Sequence, residues 1–251
     1  MSSTHHASIC IHPFPKAVLF DAVGTVIRPE PSVAAAYAMA GRREGIDVAE
    51  SDMKPRFAAA MARQDEIDRQ KHGGRTNQQR EIERWRGIVT DVFGDVPEAG
   101  PIFDDLWEHF ARPEHWRLFD DAAPTWNALA EAGVTLGIAS NFDDRLDGIC
   151  AALAPLADCP HVFVSSRVGW RKPRPEFFAT VADKLGLSAS EILLVGDDLN
   201  NDYRAARAAG WQAVLIDRKG TGADTFREHS RSEDAGRIIS LGALNELFTA
   251  G

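Results

Sequence analysis

The stretch Lys16-Ala17-Val18-Leu19-Phe20-Asp21-Ala22-Val23-Gly24-Thr25 decides the fold, because an apolar run ends at an acidic residue and a glycine-containing turn. A short continuous apolar run is typical of a strand buried on both faces of a parallel sheet, here Lys16–Phe20. Similar runs recur at Val134–Ala139, Val162–Val164, Ile192–Val195 and Ala213–Ile216. Helical spacing of apolar residues marks the segments Ala122–Ala132, Asp143–Leu156, Pro175–Leu185 and Asp202–Ala209. This alternation predicts an α/β fold with a doubly wound, Rossmann-like parallel sheet.

The alternation stops between Arg28 and about Trp116, where the sequence shows no convincing strand. Four helical patterns fill this insertion, at Ser32–Glu44, Ser51–His72, Thr76–Phe93 and Glu98–Phe110. We expect Ser51 and Thr76 to be N-caps and Gly73-Gly74 to separate the second and third helices. The insertion is long enough for a small domain. We therefore predict an all-helical cap at 29–116, a core at 16–28 and 117–251, and a flexible tail at 1–15; near the end of the chain, Ile238–Phe248 should pack on the core.

Composition narrows the class of partner. The formal net charge of −9 argues against a nucleic-acid or anionic membrane surface, which would recruit clustered Lys and Arg. A small-molecule partner is the better expectation. Three irregularly spaced cysteines, Cys10, Cys150 and Cys159, predict reduced thiols rather than a disulfide framework or a zinc site. No apolar run approaches the roughly 20 residues that span a bilayer, and the first residues do not resemble a targeting signal, so we expect a cytoplasmic protein.

Polar residues follow four of the predicted strands. Ligands bind at the carboxyl ends of the strands in doubly wound sheets, so residues that follow a strand immediately are candidates for function. Asp21 follows the first strand and Ser140-Asn141 the second. Lys172 lies in the loop beyond the third strand, and the acids Asp197, Asp198 and Asp202 follow the fourth. We expect these side chains to converge at one edge of the sheet.

These four segments, in this order, resemble the four motifs of the haloacid dehalogenase superfamily. The resemblance implies that Asp21 is a nucleophile, with Gly24-Thr25 forming the turn after it and contributing to substrate binding. Ser140 corresponds to the family's Ser or Thr, and Lys172 to the Lys of its K-P-x-P segment. Gly196-Asp197 corresponds to the acidic motif, with Asp202 as the second acid. The implied activity is magnesium-dependent phosphoryl transfer under a helical cap.

The residue types suit that chemistry. A carboxylate can attack a phosphoryl group only where nearby cations offset the negative charge. Mg²⁺ prefers oxygen ligands, and Asp21, Asp197 and the backbone carbonyl of Val23 could hold it with support from Asp202. Lys172 could neutralise Asp21 and the phosphoryl oxygens, to which the Ser140 hydroxyl and the Asn141 backbone N–H could donate hydrogen bonds. The intermediate would be an aspartyl phosphate. Asp198 is a reserve ligand.

Val23 departs from the family's usual pattern, in which phosphatases carry a second Asp as general acid. Such an acid contributes about 10²–10⁴-fold in rate. A cap residue or a metal-polarised water could replace it, or the leaving group could need little protonation. The cap candidates are His72, Arg75, His109 and His115. Three other hypotheses remain open. The first is a dehalogenase, although dehalogenases, which also lack this Asp, generally lack the acidic motif as well. The second is a phosphonatase, which would need a cap lysine, Lys54 or Lys71. The third is a binding protein that keeps the pocket without turnover.

Residues near the Gly73-Gly74-Arg75 break could recognise the substrate. By analogy with the family this break faces the active site, so Arg75, Arg80 and Arg84 could contact an anionic substrate. The simpler interpretation is a solvated, salt-bridged helix face with Glu81 and Glu83. For Trp85 and Asp143 we also favour structural roles: Trp85 as a core residue and Asp143 as a helix cap. On either side of Lys172-Pro173, Arg171 and Arg174 should be surface charges.

Overall fold

A computed structural model describes residues 14–218 and 236–245. Its centre is a six-stranded parallel sheet in the order β5-β4-β1-β6-β7-β8. The strands are β1 Ala17–Phe20, β4 Thr135–Ser140, β5 Val162–Val164, β6 Ile192–Gly196, β7 Gln212–Ile216 and β8 Arg237–Ile238. Each of the five predicted strands is present within one residue at either end. The prediction of a doubly wound α/β fold is confirmed.

Helices cover both faces of the sheet. Those of the core are α5 Ala122–Glu131, α6 Arg145–Ala151, α7 Ser165–Val168, α8 Pro175–Leu185 and α9 Ala205–Ala208. The alternation of side chains along β1 sends Val18 and Phe20 into one apolar cluster and Leu19 into the other. Helix α6 is shorter than the predicted Asp143–Leu156. A π-helical turn, Leu199–Arg204, precedes α9, so the predicted helix at Asp202–Ala209 begins within a wider turn.

Four helices occupy the insertion: α1 Val33–Arg43, α2 Glu50–Lys71, α3 Gln78–Phe93 and α4 Ala99–His109. Two of the predicted caps are wrong. The residue before α2 is Ala49, which makes no side-chain capping bond, and α3 is capped by Asn77, whose side chain accepts a hydrogen bond from the Arg80 N–H. Thr76 lies one residue earlier and turns its hydroxyl to another partner. The division into a core and a cap of residues 29–116 stays a prediction.

The expectation of no strand between Arg28 and Trp116 is wrong at the two ends of that range. Strands β2 Ile27–Pro29 and β3 Trp116–Leu118 pair antiparallel where the chain leaves the sheet and returns to it. Three-residue strands carry too few residues for a period-2 pattern to show. This ribbon joins the four inserted helices to the core.

The end of the described chain packs against the sheet. Ile238, Leu241 and Leu244 are buried, as predicted for that part of Ile238–Phe248; residues 246–248 and 1–13 lie outside the described residues, as does Cys10. Cys150 is buried and Cys159 half-buried, and both are free thiols. None of the helices in the described ranges is long and apolar enough to cross a membrane.

Candidate active site

Three neighbouring strands deliver their next residues to one edge of the sheet. Strand β1 is flanked by β4 and β6, and Phe20 is level with Ile138 on one side and Val195 on the other. By this register Asp21 follows level with Ala139, one residue before the end of β4, and with Gly196, the last residue of β6. Its N–H donates to the Val195 carbonyl over 2.8 Å. The parallel register brings Asp21, Ser140 and Asp197 to this edge.

Lys172 reaches this edge from the loop after α7 and is almost fully buried, at 3% exposure. Its ammonium donates to Asp21 Oδ1 over 2.8 Å, to Asp202 Oδ1 over 2.5 Å and to the Ala139 carbonyl over 2.8 Å. Burial alone would lower the pKa of Lys172, but the charges of Asp202 and Asp21 raise it above its usual value. The side chain is therefore a fixed cation between two carboxylates.

Asn141 holds Lys172 in place. The Asn141 side chain accepts a hydrogen bond from the Lys172 N–H over 2.8 Å and donates one to the Lys172 carbonyl over 2.9 Å. A pair of such bonds fixes the backbone of one loop against the next. The side chain of Asn141 is thus engaged with the protein, while the role predicted for this residue as a substrate ligand used its backbone N–H.

Asp21, Asp197 and Asp202 form an acidic trio whose facing oxygens lie within 4.8 Å of one another. Asp197 is exposed at the edge of the site, but the protein around it still limits its contact with water. This desolvation, together with the charges of Asp21 and Asp202, raises the pKa of Asp197 to about 7. Burial also raises the pKa of Asp202, to about 6, against the lowering effect of Lys172. Carboxylates that repel one another in this way suit a hard divalent cation such as Mg²⁺.

Two glycines allow this close approach. Gly24 has a positive φ of 85°, and a side chain there would overlap the Asp197 carboxylate. A side chain at Gly196 would likewise overlap Asp202. The buried Thr25 hydroxyl lies 3.5 Å from Asp197 Oδ1. The structure thus places Gly24 and Thr25, predicted as substrate ligands, beside the acidic trio.

Asp198, the reserve ligand, is not part of the acidic trio and has hydrogen-bond partners of its own. One of its carboxylate oxygens accepts hydrogen bonds from the N–H groups of Asn200 and Asn201, both over 2.8 Å, and the other accepts one from the Asn201 side chain. Its own N–H donates to Asp202 Oδ2 over 3.1 Å. Asp198 therefore caps the following turn and orients Asp202.

Residues 15–210 match the family model of the haloacid dehalogenase-like hydrolases. The chain belongs to this family. The prediction made from the four motifs is thereby confirmed at the level of the family.

Individual relatives of this hydrolase carry different names. Haloacid dehalogenase-like hydrolase domain-containing protein 3 of Danio rerio is 27% identical over 207 residues, which cover 80% of this chain and 85% of that protein. Ribulose-1,5-bisphosphate 5-phosphatase of Halopiger xanaduensis is 28% identical over 248 residues, covering 93% and 99%. The solved structure of L-2-haloacid dehalogenase from Xanthobacter autotrophicus superposes with a TM-score of 0.68 at 20% identity, covering 94% and 99%. That likeness shows the fold alone, so the reaction must be argued from the site.

In this haloacid dehalogenase-like hydrolase, Val23 lies on the wall of a cavity of about 210 Å³ between the core and the inserted helices. We call it the apolar cavity. Its lining includes Val23, Phe57, Trp85, Phe110, Trp116 and Phe142. Trp85, predicted as a core residue, is half-buried and stands on this wall. Among the described residues, none of the predicted acid donors His72, Arg75, His109 and His115 lines the cavity.

Those four candidates have other surroundings. The imidazole rings of His109 and His115 stack on each other with centroids 3.7 Å apart. The guanidinium of Arg75 lies over the Trp170 ring, 4.4 Å from its centroid, and the backbones of these two residues form a bridge. The Gly73-Gly74-Arg75 break therefore packs against the segment that leads to Lys172.

A second contact joins the inserted helices to the same loop through charges. We call it the charged contact; its residues are Asp68, Thr76, Glu81, Arg84 and Arg171. Arg171 pairs with Glu81 Oε1 over 2.5 Å, and the Thr76 hydroxyl donates to the same oxygen over 2.7 Å. Arg84, only 1% exposed, pairs with Asp68 and with Asp65.

Two predictions about these charges are wrong. Arg171 is buried rather than a surface charge, while Arg174 is exposed as predicted. Glu81 and Arg84 on α3 are salt-bridged but not solvated, because Glu81 pairs with Arg171 of the core and Arg84 with α2. Glu83 of the same helix is exposed. Arg80 also pairs with Asp68, over 2.7 Å. Charged side chains that are this well paired inside the protein have little capacity left for a substrate.

Asp143 and Arg145 were missed as partners. Asp143 is fully buried and binds the Arg145 guanidinium through both oxygens, over 2.8 and 2.7 Å. It also accepts a hydrogen bond from the Arg145 N–H over 3.1 Å, but the N-cap residue of α6 is Asp144, so the predicted capping role of Asp143 is wrong. The sequence signal was present, since an Asp followed two residues later by an Arg can form such a pair.

Proposed function

We propose that this chain is a magnesium-dependent phosphohydrolase that acts on a small phosphorylated metabolite through an aspartyl phosphate on Asp21. One observation carries the proposal: the buried Lys172 ammonium contacts both Asp21 and Asp202 beside the carboxylate of Asp197. A carboxylate that attacks a phosphoryl dianion must overcome charge repulsion. A fixed cation next to the nucleophile lowers that repulsion.

Each residue has a proposed duty. Asp21 supplies the attacking oxygen, and Lys172 stabilises the negative charge on both the nucleophile and the phosphoryl oxygens. The Ser140 hydroxyl and the Asn141 N–H donate hydrogen bonds to the same oxygens. Gly24, Thr25 and Arg75 are the further substrate-binding residues proposed.

Asp21, Asp197, Asp202 and the Val23 carbonyl would hold the Mg²⁺. When bound, this ion neutralises part of the phosphoryl charge. The donor set is chemically suitable, because three carboxylates face one another within 4.8 Å, and desolvation together with the charges of Asp21 and Asp202 raises the pKa of Asp197.

A relative named as a phosphatase, at 28% identity over almost the whole chain, supports this reaction class. The acidic trio speaks against the dehalogenase hypothesis. Within the described ranges, Lys54 and Lys71 are exposed and line neither the apolar cavity nor the cavity beside Lys172, so the phosphonatase hypothesis has no lysine in place. A cytoplasmic location, a small-molecule partner and the lack of nucleic-acid binding stay predictions.

The test is release of inorganic phosphate from acetyl phosphate and p-nitrophenyl phosphate, with Mg²⁺ and after its removal by a chelator. We expect turnover only with Mg²⁺. Asp21→Asn should abolish it, because an amide cannot form the aspartyl phosphate. Asp197→Asn removes a proposed ligand and should strongly raise the Mg²⁺ concentration needed for turnover, whereas Asp183→Asn, at an exposed acid on α8 outside the acidic trio, should leave that concentration unchanged.

Other outcomes would identify the alternatives. Chloride release from 2-chloropropionate without phosphate release would make the protein a dehalogenase. Binding of Mg²⁺ and phosphate by calorimetry without any turnover would make it a binding protein.

A further inference from the structure

The apolar cavity adjoins the proposed phosphate position. Two residues of its wall follow the proposed catalytic residues in the chain. Val23 lies two positions after Asp21, and Asn141 directly follows Ser140. Because β1 and β4 are neighbouring parallel strands, the residues that follow their carboxyl ends lie at the same edge of the sheet. The leaving group of a phosphate ester bound at Asp21 therefore has this cavity beside it.

The wall is apolar and largely aromatic. Phe57 comes from α2, Trp85 from α3 and Phe110 from the end of α4, and the wall is completed by Trp116 of β3 and Phe142 of the core. An apolar cavity of about 150 Å³ elsewhere is known to bind benzene. The volume of about 210 Å³ is thus large enough for a single aromatic ring with a small substituent.

The polar side chains on the wall already have partners. Both functional ends of the Asn141 amide bind the Lys172 backbone. Arg145 is bound by both oxygens of Asp143, donates to the Trp107 carbonyl over 3.3 Å, and lies 3.6 Å from the centre of the Trp107 ring. A buried Arg neutralised by a buried Asp offers little attraction to a second anionic group. The wall therefore selects against a hydrophilic or doubly anionic leaving group.

Val23 adds a chemical requirement. With no acid at this position, the leaving oxygen must depart as an anion, and the benefit of an acid grows with the basicity of the group that departs. Phenols have a pKa near 10, as in tyrosine, far below that of an alkyl alcohol. An aromatic ester thus satisfies both the shape of the wall and the missing acid.

We propose that the apolar cavity binds the ring of an aryl phosphate, so that the substrate class is a phosphomonoester of a phenol. This proposal rests on the proposed function. An Asp21 oxygen forms a bond to phosphorus while the bond between phosphorus and the phenolic oxygen breaks, and the electron pair leaves on the phenolate. Water then attacks the aspartyl phosphate, which restores the carboxylate and releases inorganic phosphate. The proton given up by water ends on the phenolate, so the balance is aryl phosphate plus water to phenol plus phosphate.

The test compares kcat/KM for phenyl phosphate and for acetyl phosphate, which has a good leaving group but no ring. Met61→Trp should fill the cavity, since Met61 lies on its wall one helical turn from Phe57. We expect it to lower kcat/KM for phenyl phosphate by about tenfold or more and to leave acetyl phosphate within about twofold. Met39→Trp is the matched control, since Met39 is exposed on α1 and is not part of the wall.

Retained turnover of acetyl phosphate shows that Met61→Trp is folded. If that variant does not fold, Phe57→Ala enlarges the cavity instead and should shift the preference from phenyl towards 1-naphthyl phosphate. Turnover of both test substrates with an unchanged ratio in the folded Met61→Trp or Phe57→Ala variants would overturn the proposal and leave the phosphatase intact.

A binding measurement separates the proposal from the proposed function. If the wild type turns over neither substrate, the proposed function fails, and tryptophan fluorescence then reports binding of phenylphosphonate against methylphosphonate. Preference for the phenyl compound that is lost in Met61→Trp and kept in Met39→Trp would support ring recognition by the cavity. Equal binding of the two phosphonates would overturn it.

Discussion

The inserted helices meet the core in two contrasting ways. At the charged contact, Arg171, Glu81 and Thr76 satisfy one another, and Arg84 is paired twice. At the apolar cavity the facing surfaces leave a space of about 210 Å³, although protein interiors rarely leave voids larger than a water molecule. The difference indicates separate duties. The charged contact fixes the inserted helices to the loop of Lys172, and the cavity leaves room for a ligand.

Breaking the charged contact should have the largest effect on stability. Arg171→Ala leaves the Glu81 carboxylate buried with only the Thr76 hydroxyl as a side-chain partner among the described contacts. Removing one member of a buried pair typically costs about 3–5 kcal/mol, and we expect a decrease of that size in the free energy of unfolding. Urea denaturation followed by circular dichroism measures it.

Arg174→Ala is the matched control, since Arg174 lies in the same segment but is exposed and pairs with Glu176 on the surface. It should leave the free energy of unfolding nearly unchanged. Equal losses in the two variants would mean that the charged contact does not fix the inserted helices to the core.

Placing a carboxyl group at the edge of the apolar cavity tests whether this cavity receives the leaving group. Val23→Asp restores an acid next to the proposed leaving oxygen, so the rate on an alkyl phosphate should rise by about 10²-fold. Phenyl phosphate should gain much less, because phenolate needs less protonation. The measurement is phosphate release from both esters at equal Mg²⁺.

The same substitution puts a polar group against apolar walls, which should lower the free energy of unfolding by roughly 1–3 kcal/mol. Asp21→Asn in the Val23→Asp background is the control and should remove both activities. A well-folded Val23→Asp with negligible turnover of either ester, like the wild type, would contradict the phosphohydrolase proposal.

The sequence predicted the charged contact poorly and the apolar cavity not at all. The strands were accessible because each is an apolar run of three to six residues, and the polar residues after them followed from parallel topology. The burial of Arg171 was not accessible, because its partner Glu81 lies 90 residues away and pairing across that separation has no local signal. The cavity depends on how side chains from α2, α3 and the core fail to fill a space, which no periodicity records.

The smallest expected effect comes from filling part of the cavity without blocking it. Val33 lies on the cavity wall at the start of α1, and Val33→Ile adds one methylene while keeping a β-branched side chain. A buried methylene contributes about 0.8 kcal/mol, so we expect a rise of up to that size in the free energy of unfolding, measured by urea denaturation. The affinity for phenylphosphonate should fall at the same time, because the ring and the new methyl group compete for one space.

Val134→Ile, at a half-buried position that is not part of the wall, should leave that affinity unchanged. A stabilised Val33→Ile that binds phenylphosphonate as tightly as the wild type would show that the unfilled space and the ring-binding space are different.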